Sequence, residues 1–502
     1  MPLPTKRLLP SIAAVALLLG ACWLSVFRRL GELPLRLWDE SRLGVNALEM
    51  LASGNLLVTQ YSGHTDLWNN KPPLLIWLQV LSMQGLGASL TSLRVPTALA
   101  VLATVLVVYI WGRRWLGTSV AGLAAGLMLL STPGYAMEHV TLTADYEALL
   151  ILWTTLFSFY WLDYLATGRP GAARLTGVFV LLAVLTKGIA GLLMLPGLLL
   201  FTLVAGRASY LLRPAVWQAV ALVALGVLGW YGLREWAEPG YLAAVWRNEL
   251  YGRASEAIEG HVEPLHFYFS MLMRRQYYWW LLPTVVGWAI GLRQPRESRP
   301  WLLAWFTLFV PLGLLLVLTL VPTKLEWYSA PVYPLLVLGA ALGLQRIAQR
   351  FGGGFPGWLA WPAVLLIVAV PYVKRLRYAS ALIAHEQSKL PALTGRHIEQ
   401  QAHALPQVRH YGVVTNRGYA PQYVFYRLLA ARRHAHQADA VNYSIISEQP
   451  AGRVVAACGR RAQAQWQQGW NTRVLFRTDS CATLRLLSKP GYRALPQPKL
   501  AK

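Results

Sequence analysis

The sequence predicts an α-helical polytopic membrane protein, and two features of its composition support that fold class. Of the 502 residues, 55% are hydrophobic and only 14% are charged, against about 45–50% and about 25% in soluble globular proteins. The chain also holds 22 Trp and 23 Tyr, which suit a membrane–water interface. A single soluble core does not reach this size with so little charge, and disordered chains are poor in apolar residues. Both of those classes are therefore excluded.

Eleven apolar segments approach the length of about 20 residues that a bilayer-crossing helix needs. They are 9–27, 95–111, 118–135, 146–165, 174–186, 189–205, 215–233, 277–292, 301–321, 328–345 and 357–373. Residues 9–27 are kept as an anchor helix, because no small-residue cleavage site of a signal peptide follows them. The adjoining segments 174–186 and 189–205 are short, so we predict about 11–13 transmembrane helices.

Basic residues in the loops predict the orientation of the chain. They precede the first span and follow the second, fourth, sixth, eighth and tenth, which places the N-terminus in the cytoplasm. Arg28 and Arg29 disagree with this pattern. Residues 30–91, residues 234–276 and everything after residue 373 then lie on the outer side of the membrane. The net charge of +24 indicates topology and contact with anionic membrane lipids, and we expect no nucleic-acid partner.

The chain divides into a transmembrane domain, residues 1–373, and a small extracytoplasmic α/β domain, residues 374–502. Strand-like runs alternate with helical stretches in the second part. The predicted strands are Val408–Thr415, Val441–Ile446, Arg453–Ala457, Arg473–Phe476 and Ala482–Leu487. Cys458 and Cys481 end neighbouring predicted strands, and either a disulfide or two free buried thiols fits that placement.

Carboxylates at the predicted outer face are the first candidates for chemistry. Asp39 and Glu40 follow the first span, and Asp145 opens the fourth span on the same side. A carboxylate at membrane depth costs about 2.5–3.5 kcal/mol and by default marks a functional site. Helix capping is the alternative for Asp39 and Asp145, because carboxylates favour helix N-termini.

Lysines at outer span junctions are the second group, because the positive-inside bias does not expect them there. Lys71 precedes two prolines that open an apolar helix, and such an N-terminus suits a phosphate. Lys187 separates two spans, Lys324 joins two others, and Arg253 lies in the loop 234–276. With the carboxylates they predict a cavity that holds anion-binding and base groups. An ordinary loop cation is the alternative for Lys71.

Six motifs follow one another on this outer face. They are Trp38-Asp39-Glu40, Asn70-Lys71-Pro72-Pro73-Leu74, Arg94-Val95-Pro96, Asp145, Leu185-Thr186-Lys187-Gly188, and Lys324-Leu325 with Tyr328. In order and sidedness the set resembles the GT-C superfamily of membrane glycosyltransferases over residues 35–345. The most similar groups are the protein O-mannosyltransferase-like enzymes and the aminoarabinose lipid A transferases.

This resemblance implies transfer of a sugar from a polyprenyl-phosphate carrier to an acceptor on the outer face: a lipid A-like glycolipid, a protein or a polymer. It implies Asp39 as the catalytic carboxylate and Asp145 as a second acidic residue. From the chemistry of the step we add Glu40 as a group that orients the acceptor or the base. The resemblance also implies contacts to the donor phosphate, which we assign to Lys71, Arg253, Tyr328 and Lys324. Further cavity candidates are Lys187, His261 and Arg94.

The chain departs from the aminoarabinose transferases where those enzymes hold a metal. Their glutamate before the lysine is Asn70 here, and Arg247-Asn248-Glu249-Leu250 contains no histidine where a ligand is expected. We therefore assign no metal ligand and no certain cofactor, and a divalent metal stays open.

Elementary chemistry supports a transferase that acts by inverting displacement. A polyprenyl phosphate is already a workable leaving group and needs charge stabilisation more than a general acid. A positioned carboxylate then activates the acceptor. The alternative is a transporter or flippase for a lipid-linked glycan. It would predict paired charges near the bilayer midplane and repeat symmetry, and the sequence shows neither.

Overall fold

Each of the eleven predicted spans coincides with a helix in the computed structural model, which describes residues 8–252, 262–351, 359–415 and 419–489. The helices, numbered α1 to α18, are Leu8–Ser25, Asp39–Ser53, Leu74–Leu86, Leu90–Leu116, Ser119–Ser131, Glu147–Thr167, Pro170–Lys187, Leu195–Val204, Pro214–Ala237, Tyr241–Val245, Phe267–Met271, Tyr278–Gly291, Arg299–Leu320, Tyr333–Phe351, Ala360–Gln387, Leu390–Ala404, Pro421–His434 and Arg460–Gly469. The predicted membrane fold is confirmed.

Seven helices in the described ranges are long and apolar enough to cross a membrane. They begin at Ser11, Leu90, Glu147, Pro170, Pro214, Arg299 and Glu326. Two other predicted spans are the shorter apolar helices α5, with 13 residues, and α8, with 10 residues. At about 1.5 Å per residue such helices fall short of a hydrocarbon core of about 30 Å. The number of apolar segments in the sequence is therefore higher than the number of helices that are long and apolar enough to cross a membrane.

Small residues allow the membrane helices to pack closely. At the crossing of α12 and α14, a Cβ atom on Gly287 would lie 2.1 Å from the carbonyl oxygen of Gly339, and one on Gly343 would lie 2.0 Å from that of Pro283. Only glycine permits this approach of two backbones, which is the packing that association in lipid favours.

A five-stranded mixed sheet forms the C-terminal region. A two-stranded ribbon in the first outer loop supplies β1 and β2, Gln60–Tyr61 and His64–Thr65; β3 to β7 are His410–Thr415, Gln437–Asn442, Val454–Cys458, Asn471–Arg477 and Cys481–Ser488. The sheet order is β4-β3-β5-β7-β6, with β3 parallel to β4 and β5 and the remaining pairs antiparallel. One predicted strand is corrected: the chain leaves β4 at Asn442 and turns through a short helix, Tyr443–Glu448.

The C-terminal region docks on the outer loops of the membrane part. Helix α2 packs against α17, and a Cβ atom on Gly44 would lie 2.7 Å from the ring of Phe425. Arg433 donates to the carbonyl oxygen of Ala88 at 2.8 Å. Helix α15 runs unbroken through residue 373, so the domain boundary placed there stays a prediction.

The antiparallel partners Cys458 and Cys481 form a disulfide, which decides between the two alternatives.

Candidate active site

A cavity of about 1310 Å³ opens between the outer loops, the membrane helices and the C-terminal region. One end is apolar and lies among the membrane helices; its walls include Leu150, Ile151, Leu193, Leu314 and Leu318. The other end is formed by the C-terminal region through Glu386, Lys389, Tyr419 and Gln422. The walls also carry Asp39, Lys71, Lys187 and Tyr328, four residues that the sequence predicted to share a site.

Asp39 occupies the first position of α2 and lines the cavity, half-buried. The residue that caps this helix is Trp38, whose side chain makes no capping hydrogen bond. Within the described ranges the Asp39 carboxylate has neither a hydrogen-bond nor an ion-pair partner. The capping alternative is therefore not what the structure shows, and the carboxylate remains available to a substrate.

The two cavity lysines are each paired with a carboxylate. Lys71 Nζ lies 3.2 Å from Glu249 Oε1 and 5.6 Å from the ring centre of Tyr146. Lys187 forms an ion pair with Glu147 and lies 5.3 Å from the ring centre of Tyr328. Lys71 is thus held by a residue of the middle outer loop, and Lys187 by the first turn of α6.

Asp145 lies behind the cavity wall and acts on the cavity through a histidine. Its Oδ2 contacts His139 Nδ1 at 2.7 Å and accepts from the hydroxyl of Thr143 at 2.9 Å. His139 lines the cavity and stacks on Trp327 with ring centres 3.8 Å apart. Helix α6 begins at Glu147, so Asp145 stands outside the helix and does not cap it. Its carboxylate bonds to His139 and Thr143 instead and positions the imidazole.

The charges of this pair follow from burial and contact. Burial raises the pKa of Asp145 to about 6, although His139 works in the opposite direction. Burial lowers the pKa of His139, but its hydrogen bond to Asp145 and the nearby carboxylates outweigh that effect and raise it to about 9. At neutral pH His139 is therefore a cation in the cavity wall, with Asp145 as its counter-ion.

Glu40 and Arg94 form a buried clamp and do not line the cavity, so their predicted contact with the substrate stays a prediction. Arg94 is 0% exposed and donates to both carboxylate oxygens of Glu40 at 2.7 and 2.9 Å. It also donates to the carbonyl oxygens of Leu30 and Leu33. Glu40 accepts in addition from the backbone amide of Ala144 at 2.8 Å. With these partners the pair ties α2 and α4 to the turn before Asp145.

Lys324 also departs from its predicted role. Its neighbours Thr323 and Leu325 line the cavity, whereas Lys324 is buried and donates to the carbonyl oxygen of Val321 at 3.0 Å. Consecutive side chains of an extended segment point in opposite directions, which explains the difference. Arg253 and His261 lie outside the described residues.

Around Asn70, where the sequence departs from the aminoarabinose transferases, the described residues do not fit a metal site. Asn70 Nδ2 donates to the carbonyl oxygen of Ala244 at 2.9 Å, and the hydroxyl of Tyr241 donates to the Asn70 carbonyl oxygen at 2.6 Å. Glu249 is engaged with Lys71. No group of three His, Cys, Asp or Glu side chains in the described ranges is placed to hold a metal ion. We therefore assign no chemical step to a metal.

Sequence reasoning missed four cavity residues: His139, Glu147, Glu249 and Arg36. A signal existed for Glu147, which stands two residues after Asp145. Arg36 forms ion pairs with Glu138 and with Glu386 of the C-terminal region. These ion pairs join residues that are far apart in the sequence, so no local spacing predicts them.

Comparisons with known proteins identify similar sequences and a similar fold. The family model described as dolichyl-phosphate-mannose-protein mannosyltransferase matches residues 70–231. The crystal structure of ArnT from Cupriavidus metallidurans bound to undecaprenyl phosphate superposes with a TM-score of 0.70 at 18% identity, covering 97% of this chain and 99% of that one. The chain therefore has the fold of ArnT. The same protein in its apo state gives a TM-score of 0.69 over 94% of this chain and 97% of that one, at 18% identity.

Two curated relatives align over the larger part of this chain. An undecaprenyl phosphate-alpha-4-amino-4-deoxy-L-arabinose arabinosyl transferase from Pseudomonas savastanoi pv. phaseolicola is 28% identical over 67% of this chain and 62% of its own length. An uncharacterized protein from Aquifex aeolicus is 26% identical over 62% of this chain and 60% of its own length. The chain thus aligns with about three fifths of the length of each. These matches support the resemblance that the sequence motifs indicated.

Proposed function

We propose that this multi-pass membrane protein is a glycosyltransferase that moves a sugar from a polyprenyl-phosphate carrier to an acceptor at the outer face of the bacterial inner membrane. The observation that carries the proposal is the composition of one cavity. It joins an apolar end within the membrane helices to lysines and to the available carboxylate of Asp39. The ArnT structure bound to undecaprenyl phosphate and the arabinosyl transferase from Pseudomonas savastanoi pv. phaseolicola support the same donor class.

The donor extends from the apolar end towards Asp39. Its polyprenyl chain packs on leucine and isoleucine side chains such as Leu150 and Ile151, and its phosphate meets Lys71 and Lys187. Tyr328 stands beside Lys187, and the protonated His139 adds a third cation. Preorganised cations of this kind stabilise the charge that develops on a departing phosphate. Arg253, which the resemblance assigns to the same phosphate, remains part of the proposal.

Asp39 orients and deprotonates the acceptor group, which attacks the anomeric carbon on the side opposite the phosphate. The carbon–oxygen bond to the carrier phosphate breaks as the bond to the acceptor forms, so the configuration inverts. The carrier leaves as polyprenyl phosphate, and the acceptor proton passes to Asp39. In this arrangement residues 1–373 hold the donor, with the N-terminus in the cytoplasm, and residues 374–502 close the acceptor side in the periplasm.

The test is Asp39→Asn in purified protein, with a bacterial envelope extract as the source of acceptor. It is measured as release of polyprenyl phosphate from undecaprenyl phosphate esterified to labelled aminoarabinose, mannose or glucose. We expect the rate to fall about 10²–10⁴-fold, because the base is lost, while undecaprenyl phosphate still raises the melting temperature. Asp439→Asn is the matched control, since Asp439 is exposed and pairs with Arg453 away from the cavity. Wild-type turnover in Asp39→Asn would refute the assignment.

A further inference from the structure

Three aromatic side chains line the cavity beside Asp39 and are not explained by donor binding. They are Trp38, which is 51% exposed, Trp68, which is 56% exposed, and Tyr419. The ring centres of Trp38 and Tyr419 lie 5.4 Å apart with planes tilted by 32°. Large exposed rings carry an apolar cost in water, so their placement in a charged cavity calls for a ligand that covers them.

A buried ionic network connects the first outer loop to the C-terminal region beside two of these residues. Asp66 accepts from Arg42 at 2.8 and 2.6 Å and from Asn46 at 2.9 Å. It also accepts from the backbone amide of Trp68 at 3.1 Å. Arg42 in turn donates to the hydroxyl of Tyr419 at 3.1 Å. The network therefore positions the backbone at Trp68 and the hydroxyl of Tyr419 relative to one another.

The backbone at Trp38 points to a functional demand on this residue. Its φ angle is +74°, a conformation that costs an ordinary side chain about 1–3 kcal/mol and concentrates at functional sites. Glycine would adopt it without that cost. A tryptophan at this position therefore supplies something that the backbone alone does not need.

The surroundings distinguish these rings from an aromatic belt. Belt residues face the lipid headgroups on the outside of a helix bundle, whereas Trp38, Trp68 and Tyr419 share a cavity wall with Asp39, Arg36 and Lys389. A pyranose ring matches such a wall, because its C–H face is apolar and packs on aromatic rings while its hydroxyls bond to charged and amide groups.

The direction of the reaction places the acceptor at this end. Displacement with inversion needs the acceptor oxygen, the anomeric carbon and the phosphate oxygen in line. The acceptor must then lie across the donor sugar from Lys71 and Lys187, on the side where the C-terminal region forms the wall. Asp39 is within electrostatic range of Tyr419 at that end and of Tyr146 at the other, as a base between the two substrates must be.

We propose that Trp38, Trp68 and Tyr419 form a subsite for a pyranose ring of the acceptor, which makes the acceptor a glycan or glycolipid and not a polypeptide. This inference rests on the proposed function. It adds a substrate class and a set of binding residues for the acceptor side of the same cavity.

The experiment uses the full chain in detergent with the sugar-labelled undecaprenyl-phosphate donors. Two acceptor fractions from one bacterial envelope are offered separately, the extracted glycolipids and the proteins. Trp38→Gly removes the ring and suits the positive φ, Trp38→Phe keeps an aromatic face, and Trp68→Ala tests the second ring. Trp236→Ala is the matched control, because Trp236 is 79% exposed and does not line the cavity.

We expect label in the glycolipid fraction. Trp38→Gly and Trp68→Ala should raise the half-saturating glycolipid concentration about tenfold, the size that loss of a stacked ring predicts. Trp38→Phe should lie between wild type and Trp38→Gly, because it keeps a smaller aromatic face. Trp236→Ala should stay near wild type, and half-saturation by the donor should be unchanged in all four. Label in protein, a donor effect instead of an acceptor effect, or wild-type kinetics in Trp38→Gly would overturn the subsite. Release of carrier phosphate without labelling of either fraction would overturn it while leaving donor chemistry standing. A wild-type protein that releases no carrier phosphate would instead overturn the transferase itself.

Discussion

The pair formed by Asp145 and His139 allows a prediction whose size follows from the structure. The pKa of His139 is raised from 6.5 to about 9, against the effect of burial, by its hydrogen bond to Asp145 and the adjacent carboxylates. At about 1.4 kcal/mol for each pKa unit, the surroundings favour the imidazolium by about 3 kcal/mol. In Asp145→Asn the largest of those favourable interactions is lost, and burial returns the pKa to near or below its ordinary value.

The consequence is a loss of charge in the cavity wall at neutral pH. At pH 7.5 the protonated fraction of His139 falls from about 97% to about 10% or less in the variant. If the imidazolium stabilises the donor phosphate, kcat/KM for the donor falls about tenfold at that pH. The wild-type rate should hold until His139 loses its proton near pH 9. The variant should lose activity between about pH 6 and pH 7.5 and recover most of it at pH 5.5, where His139 is protonated again.

The assay is release of undecaprenyl phosphate from pH 5.5 to pH 9.5 in detergent. His139→Gln is the control: it should show low activity that acid does not restore. An unshifted pH profile in Asp145→Asn would refute the role of His139 as a cation. A loss of more than about a thousandfold at every pH would show that Asp145 itself acts on the substrate.

Four further predictions concern individual contacts. Arg94→Met leaves the Glu40 carboxylate buried without its counter-ion and should lower the free energy of unfolding by about 3–5 kcal/mol. The melting temperature should fall, and replacing both residues by apolar ones should largely restore it. Unchanged melting of the single variant would contradict the clamp. Lys71→Met should raise half-saturation by the donor about tenfold, with Lys71→Arg much closer to wild type, and an effect confined to the acceptor would argue against phosphate binding. Glu147→Gln should make undecaprenyl phosphate raise the melting temperature more than it does in wild type, because Lys187 then has only the phosphate as partner; equal shifts would count against that pairing. Cys458→Ser should destabilise the C-terminal sheet by about 2–4 kcal/mol. A wild-type protein whose melting temperature is the same with and without dithiothreitol would contradict this.

The membrane fold was predictable because its signal is local. An apolar run of about 20 residues makes a crossing helix wherever it stands, and alternating patterns marked four of the five strands of the C-terminal sheet at nearly the right positions. The fifth, Val441–Ile446, failed because the chain leaves β4 at Asn442 and turns through a short helix. Hydrophobic periodicity does not record where a sheet ends.

The candidate site was predictable only in part, because side-chain partners far apart in sequence decide each role. Spacing identifies Arg94 and Glu40 as charges near the outer face but does not show that they bond to one another across 54 positions. Likewise, Asp145 resembles a substrate contact in the sequence. The turn Glu138–Leu142 brings His139 between it and the cavity, and no local pattern predicts that.

In the proposed reaction, the pairing of both cavity lysines has a consequence for turnover. Glu249 and Glu147 already neutralise Lys71 and Lys187. The binding free energy of an arriving phosphate is therefore only the difference between its interaction with the lysines and the lysine–glutamate interactions that it replaces or shares. An unpaired buried lysine would bind the phosphate more tightly but would cost several kcal/mol of stability and would also retain the carrier phosphate after transfer. Paired lysines therefore favour release of the product. His139, whose counter-ion lies behind the wall and away from the cavity, is the cation best placed to follow the charge that develops during the reaction.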